Sequence, residues 1–168
     1  MKVIFLDFDG VLNHRGYLLS LRDRDRVGGD DDINPDAVAK LNRLIQFTGA
    51  QVVVSSSWRH GRDIESLQEL LESRGFAGKV ISKTPMWLEP EEIDQIDKGY
   101  RAKFGDSGER GHEIRAWLAN NSGVESFIVF DDNGDMATVH DRFIQTDFDS
   151  GLQDHHVDKA IKMLNGDK

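Results

Sequence analysis

The chain has no cysteine. That excludes disulfide frameworks, cysteine-ligated zinc and thiol nucleophiles, and leaves nothing to argue for an oxidising compartment. It also lacks any apolar run approaching a membrane span. The N-terminal stretch MKVIFLDFDGVLN breaks at Asp7 and Asp9, which the apolar segment of a signal peptide would not tolerate. The expectation is a cytoplasmic protein with no membrane partner. Basic side chains are few, 21 Lys and Arg against 30 Asp and Glu for a formal charge of -9. That balance argues against a long groove gripping many phosphates. Internal repeats and low-complexity tracts are missing, and no Gly-x-x-x-x-Gly-Lys-Ser/Thr loop occurs. With 168 residues, 38% of them hydrophobic, the chain holds enough material for one soluble domain spanning 1–168.

What is present alternates between two periodicities. Lys2 to Leu6, Gln51 to Val54, Lys79 to Ile81, Phe127 to Phe130 and Phe143 to Thr146 are short apolar runs suited to buried strands. Between them lie apolar stripes at helical spacing. Val38, Leu41, Leu44 and Ile45 follow an Asn34-Pro35 start and stop at Gly49. Ile64, Leu67, Leu70 and Leu71 close at Gly75, Ile114, Trp117 and Leu118 follow a start near Arg110, and Val157, Ala160, Ile161 and Leu164 run up to Gly166. Alternating strands and helices predict an α/β, Rossmann-like three-layer α/β/α sandwich around a mainly parallel central sheet. Two segments fall outside this rhythm, at about 13–33 and 84–109, and read as excursions or long loops of the functional sort. The first carries Arg15, Arg22, Arg24 and Arg26 interleaved with Asp23 and Asp25, which fits a solvated hairpin as well as it fits a guide for substrate.

Ligands of a parallel α/β sheet bind outside the carboxyl ends of its strands, so the residues that end each strand matter most. Here strand one ends in Asp7-Phe8-Asp9-Gly10, strand two in Ser55-Ser56-Ser57-Trp58-Arg59, and the fourth in Asp131-Asp132-Asn133-Gly134. Four carboxylates at one crevice, Asp7, Asp9, Asp131 and Asp132, would repel strongly without a compensating cation. All-oxygen ligation suits Mg²⁺, which takes one or two carboxylates together with substrate phosphate oxygens. The pattern points to a phosphate-handling site. An EF-hand fails on spacing, because its glycine belongs at the sixth position of an acidic loop, whereas Gly10 lies three residues after Asp7. A receiver domain phosphorylated on aspartate would carry its acceptor after the third strand, and this chain does not.

These residues resemble the haloacid dehalogenase (HAD) superfamily of phosphotransferases. More narrowly, Ser55 to Arg59, Thr84-Pro85, Arg110-Gly111-His112-Glu113-Ile114 with Trp117-Leu118, Phe130-Asp131-Asp132 and Gly151-Leu152 resemble the HAD-type domain of bacterial "Swiss army knife" RNA-repair proteins. The resemblance implies Asp7 as a nucleophile forming an aspartyl-phosphate and Asp9 as general acid, then base. It implies Mg²⁺ held by a carboxylate oxygen of Asp7, the backbone carbonyl of Asp9 and a carboxylate of Asp131 or Asp132. A serine would bind a phosphoryl oxygen, Ser55 ahead of Ser56 by position. A charge-balancing cation is also implied, Arg110 ranking slightly above Lys83, with Arg59 as a further phosphate-binding candidate.

Substrate class follows from the spacing. Neither the interval from Asp9 to Asn34 nor that from Arg59 to Arg110 holds a full cap domain once core elements are subtracted. An open site admits a macromolecular end more readily than it encloses a small molecule. Together with the resemblance, this makes a DNA or RNA terminal phosphate the leading substrate, 3′ before 5′ by family analogy alone, with repair proteins as possible partners. The rivals are a small-molecule or nucleotide phosphatase and, from another class, an inactive binding domain. The second would be marked by loss of Asp7 or Asp9, and both are present. Trp58 reads chiefly as a packing residue, with base stacking as its alternative.

Overall fold

A computed structural model describes residues 1–21, 29–97 and 109–166. Five strands form one sheet: β1 (Lys2–Leu6), β2 (Gln51–Val54), β3 (Val80–Lys83), β4 (Ser126–Asp131) and β5 (Phe143–Gln145). Their order is β3-β2-β1-β4-β5 and every neighbouring pair is parallel. The helices are α1 (Arg15–Leu21), α2 (Pro35–Thr48), α3 (Ile64–Glu72), α4 (Pro90–Ile96), α5 (Glu109–Ala119) and α6 (Asp154–Asn165).

Alternation along β1 decides which layer each residue joins. Ile4 and Leu6 pack with Val38 and Leu41 of α2, Leu67 and Leu71 of α3, and Val157 and Leu164 of α6. Val3 and Phe5 face the other way, against Ile114 and Trp117 of α5 and Val139 of a 3-10 turn at Ala137–Arg142. Because side chains of a strand alternate faces, one five-residue strand serves two cores. The result is the three-layer α/β/α arrangement, with the sheet parallel throughout rather than mainly so. Among the described residues, no helix is long and apolar enough to cross a membrane.

Local signals explain the element ends. Asn34 accepts from Asp36 N, Pro35 opens α2, and Gly49 closes it in the left-handed region at φ 67°. The third strand starts and ends later than its apolar residues suggest, at Val80–Lys83, and its register against β2 shifts between Val52 and Val53, with Ile81 as the extra residue. The excursions are partly helical. Arg15–Leu21 is a short helix with no buried residue, and Pro90–Ile96 is started by a proline and a reciprocal Glu89–Glu92 capping box. Arg22, Arg24 and Arg26 of the basic cluster lie outside the described residues.

Candidate active site

The sheet places the site. Chain order runs outward from β1 to β2 and β3, then crosses to β4 and β5 on the opposite side, so the connections diverge at β1. A crevice opens at that point above the carboxyl ends. The ladder also continues one residue past the strands. Asp7 N donates to Phe130 O, Ser55 N to Leu6 O, Thr84 N to Val54 O and Thr146 N to Asp131 O, each at 3.0 Å. Asp7 and Ser55 are thus held in sheet register just past their apolar runs, and Asp7, Ser55 and Asp131 end neighbouring strands.

Asp7 is almost wholly buried, at 6% exposure. Burial raises its carboxyl above the ordinary range, opposed by the Arg110 guanidinium and by a hydrogen bond with the Ser56 side chain. Asp131 is buried as well. Its Oδ1 accepts from Asn133 N at 2.9 Å, while Oδ2 has no hydrogen-bond partner among the described residues and sits 3.2 Å from Arg110 Nε. That last contact is an ion pair too poorly aligned to be a hydrogen bond. Burial, then the charge of Asp7, pushes Asp131 up to about 7. Asp132 is half-buried and also raised, chiefly by desolvation. Ligand oxygens of Asp7, Asp131 and Asp132 all lie within 4.8 Å of one another. An oxygen-only donor set, raised carboxyls and an orphaned buried oxygen fit a hard divalent cation.

Asp9 stands apart from that trio. Its Oδ1 accepts from Asn13 Nδ2 at 2.7 Å, and both carboxylate oxygens accept from Trp58 Nε1, at 3.2 and 3.1 Å. Trp58 meets Phe8 edge-on, with ring centres 5.7 Å apart. The indole expected chiefly to pack does so, and also orients a carboxylate; its ring is therefore committed. Gly10 is required between these groups. It sits at φ 69°, and a Cβ there would come within 2.5 Å of the Asp132 carboxyl.

The three cation candidates separate cleanly. Arg110, in the first turn of α5, reaches Asp131, and its Nη1 is buried with no hydrogen-bond partner among the described residues. Arg59 does not take the phosphate-binding position expected of it. Its guanidinium is buried and all five donors are engaged: Nε with Thr84 O, Nη1 with Ser55 O and Ser56 O, Nη2 with Pro85 O and Glu113 Oε2. Nothing is left for an anion. Lys83 is likewise displaced, since it leaves β3, two strands from β1, and donates to the carbonyls of Arg59 and Arg62. Of the serines, both are fully buried; Ser56 meets Asp7, whereas Ser55 Oγ has no partner among the described residues.

Sequence reasoning missed Asn13, Glu113 as a charge partner, and Gly111. Glu113 lies 2.7 Å from Arg59 and 3.9 Å from Arg110, and burial pushes it up to about 7 despite both guanidinium groups. Its spacing three residues after Arg110 on one helix was the available signal. Gly111 packs backbone against backbone, for a Cβ would lie 2.0 Å from Met136 O. There, Arg110 N donates to Asp135 Oδ2 at 3.3 Å and Gly111 N to Asp135 O at 3.1 Å, tying α5 to the segment after β4.

Carboxylates, a serine and an arginine at the switch point of a parallel sheet define a phosphoryl-handling class of α/β protein. Within it, residues 3–157 match the family described as the HAD domain in Swiss Army Knife RNA repair proteins, and the chain belongs to that family. Comparison with curated proteins and with solved structures returns no match.

Proposed function

We propose that the chain, working as one unit over 1–168, is a Mg²⁺-dependent phosphomonoester hydrolase acting on the terminal phosphate of a nucleic acid, 3′ ends before 5′ ends. One observation carries this reading. Three buried polar atoms without hydrogen-bond partners among the described residues, Ser55 Oγ, Arg110 Nη1 and Asp131 Oδ2, belong to residues grouped around Asp7. Two are donors suited to phosphoryl oxygens and the third is an acceptor suited to a cation. Buried polar atoms in folded proteins are almost always paired, so such a group marks capacity reserved for a ligand.

In the reaction, a carboxylate oxygen of Asp7 attacks phosphorus and the bond to the ester oxygen breaks. Asp9 donates a proton to the departing alkoxide. It then takes a proton from the water that attacks the aspartyl-phosphate, and inorganic phosphate leaves with Asp7 restored. Trp58 and Asn13 hold Asp9 in one orientation through both steps. Ser55 and Arg110 bind the non-bridging oxygens, which carry more charge as the phosphoryl group transfers. Mg²⁺ held by Asp7, Asp131 or Asp132 and the Asp9 carbonyl would offset that charge and keep Asp7 ionised.

The direct test is phosphate release from an aryl phosphate with Mg²⁺ or with a chelator, followed by kcat/KM for 3′- and 5′-phosphorylated DNA and RNA oligonucleotides against mononucleotides. Turnover that survives chelation sinks the metal role. A preference for mononucleotides replaces the nucleic-acid substrate with a small one.

A further inference from the structure

Beside the carboxylates lies a pocket of about 190 Å³ whose walls include His60, Met86, Trp87, Glu109, Arg110 and Asp135. Arg110 belongs to both places, since the same side chain that reaches Asp131 lines this pocket. Trp87 is 66% exposed, more than the other large hydrophobic side chains left exposed among the described residues. A single exposed indole means little by itself. This one, however, sits at φ 55°, in the left-handed region that bulky residues avoid, and the His60 ring meets it edge-on at 4.6 Å.

The frame beneath is tied by hydrogen bonds. Arg59 donates to Thr84 O and Pro85 O just before Trp87, and also to Ser55 O and Ser56 O just before His60. Lys83 donates to the carbonyls of Arg59 and Arg62. The two cations that do not face the carboxylates therefore fasten together the two segments that carry the aromatic walls.

We propose that this pocket receives the nucleobase of the nucleotide bearing the terminal phosphate, stacked on Trp87; the proposal rests on the phosphatase reading above. A ring face accepts every base, so stacking recognises a base without selecting its identity. The volume falls below the ~300 Å³ at which drug-sized sites begin, room for one ring system rather than an oligomer. Glu109 and Asp135 offer carboxylates to the exocyclic amino and ring N–H groups of a base, and their charge turns away a second phosphate. A phosphotyrosine ring has no such donors, so the pocket favours a nucleotide end over a phosphopeptide.

The test compares a 3′-phosphorylated dinucleotide, the same compound lacking its terminal base, and a phosphotyrosine peptide. Wild-type protein prefers the base-bearing compound to the abasic one by about tenfold in KM, the scale of one base–aromatic stack. Trp87→Ala collapses that ratio and Trp87→Phe keeps most of it. An absent preference, a ratio untouched by Trp87→Ala, or a preference for the peptide overturns the proposal while leaving the phosphatase reading intact. Should no ester turn over, the phosphatase reading fails, and calorimetric titration with the phosphorylated dinucleotide decides the pocket. Binding weakened about tenfold by Trp87→Ala supports it, and equal or absent binding overturns it.

Discussion

Arg59 and Arg110 are both largely buried, and both approach Glu113, yet they are opposites in how their donors are used. Arg59 spends every N–H on backbone carbonyls and on Glu113. Arg110 keeps Nη1 unmatched and aims Nε at a carboxylate whose own oxygen is unmatched. Burial alone therefore does not separate scaffold from chemistry. What separates them is whether the buried groups have used up their hydrogen-bonding capacity.

The strongest way to break this contrast is Asp7→Asn, at the centre of the unmatched cluster. Turnover should fall at least ~1,000-fold, since the nucleophile is gone. The fold should survive, because the like charge beside Asp131 is removed; thermal melting and phosphate release read the two halves separately. The arginines follow. Arg59→Met leaves Glu113 buried opposite a neutral side chain and should cost about 3–5 kcal/mol of stability, seen in denaturant unfolding. Arg110→Met also takes the counter-charge from Asp131 but breaks no buried guanidinium–carbonyl network, so it should lower the unfolding midpoint less than Arg59→Met and lower kcat/KM about 100-fold. If the two effects are exchanged, the distinction between spent and unspent cations is wrong. Ser55→Ala comes next, lowering kcat/KM by about tenfold for loss of one hydrogen bond to a charged oxygen, with little change in melting.

The smallest effect is a pH dependence that sharpens the contrast without a substitution. Glu113 and Asp131 are pushed up to about 7 from ordinary values near 4. Between those limits the folded metal-free protein holds more protons at these two groups than the unfolded chain does, so their contribution to stability is fully present below pH 4 and is lost as pH rises through 7. Adding Mg²⁺ at pH 8 should raise the melting temperature by stabilising the ionised carboxylates. Asp131→Asn should remove most of that metal response and part of the pH slope. A melting temperature that climbs from pH 5 to pH 8 without metal contradicts the burial-driven shifts.

The strand ends were legible because an apolar run that stops at a carboxylate or a serine has one physical reading in a parallel sheet. That places Asp7, Ser55 and Asp131 without coordinates, and the same alternation yields both cores. Direction of a long side chain was not legible. Arg59 stands two residues past Ser57, next to Ser55 and Ser56 in sequence, yet the 3-10 turn at Ser57–Arg59 rolls it under the loop toward Thr84. Lys83 ends a strand, as Asp131 does, but that strand lies at the sheet's edge. Asn13 and Trp87 belong to no periodic pattern, so only the folded chain reveals what they face.

Gly111 gives the site one further property. Because α5 rests directly on the backbone at Met136 and is pinned to Asp135, the start of that helix and the loop leaving β4 are one mechanical piece. The gap between the backbone that carries Arg110 and the loop that follows Asp131 is thereby set as a caliper sets a gap, by main-chain contact. A methyl group at Gly111 would pry the jaws apart while altering no charged residue. The balance of positive and negative charge between Arg110 and Asp131 is thus open to loss through an uncharged change, at a position that touches neither side chain.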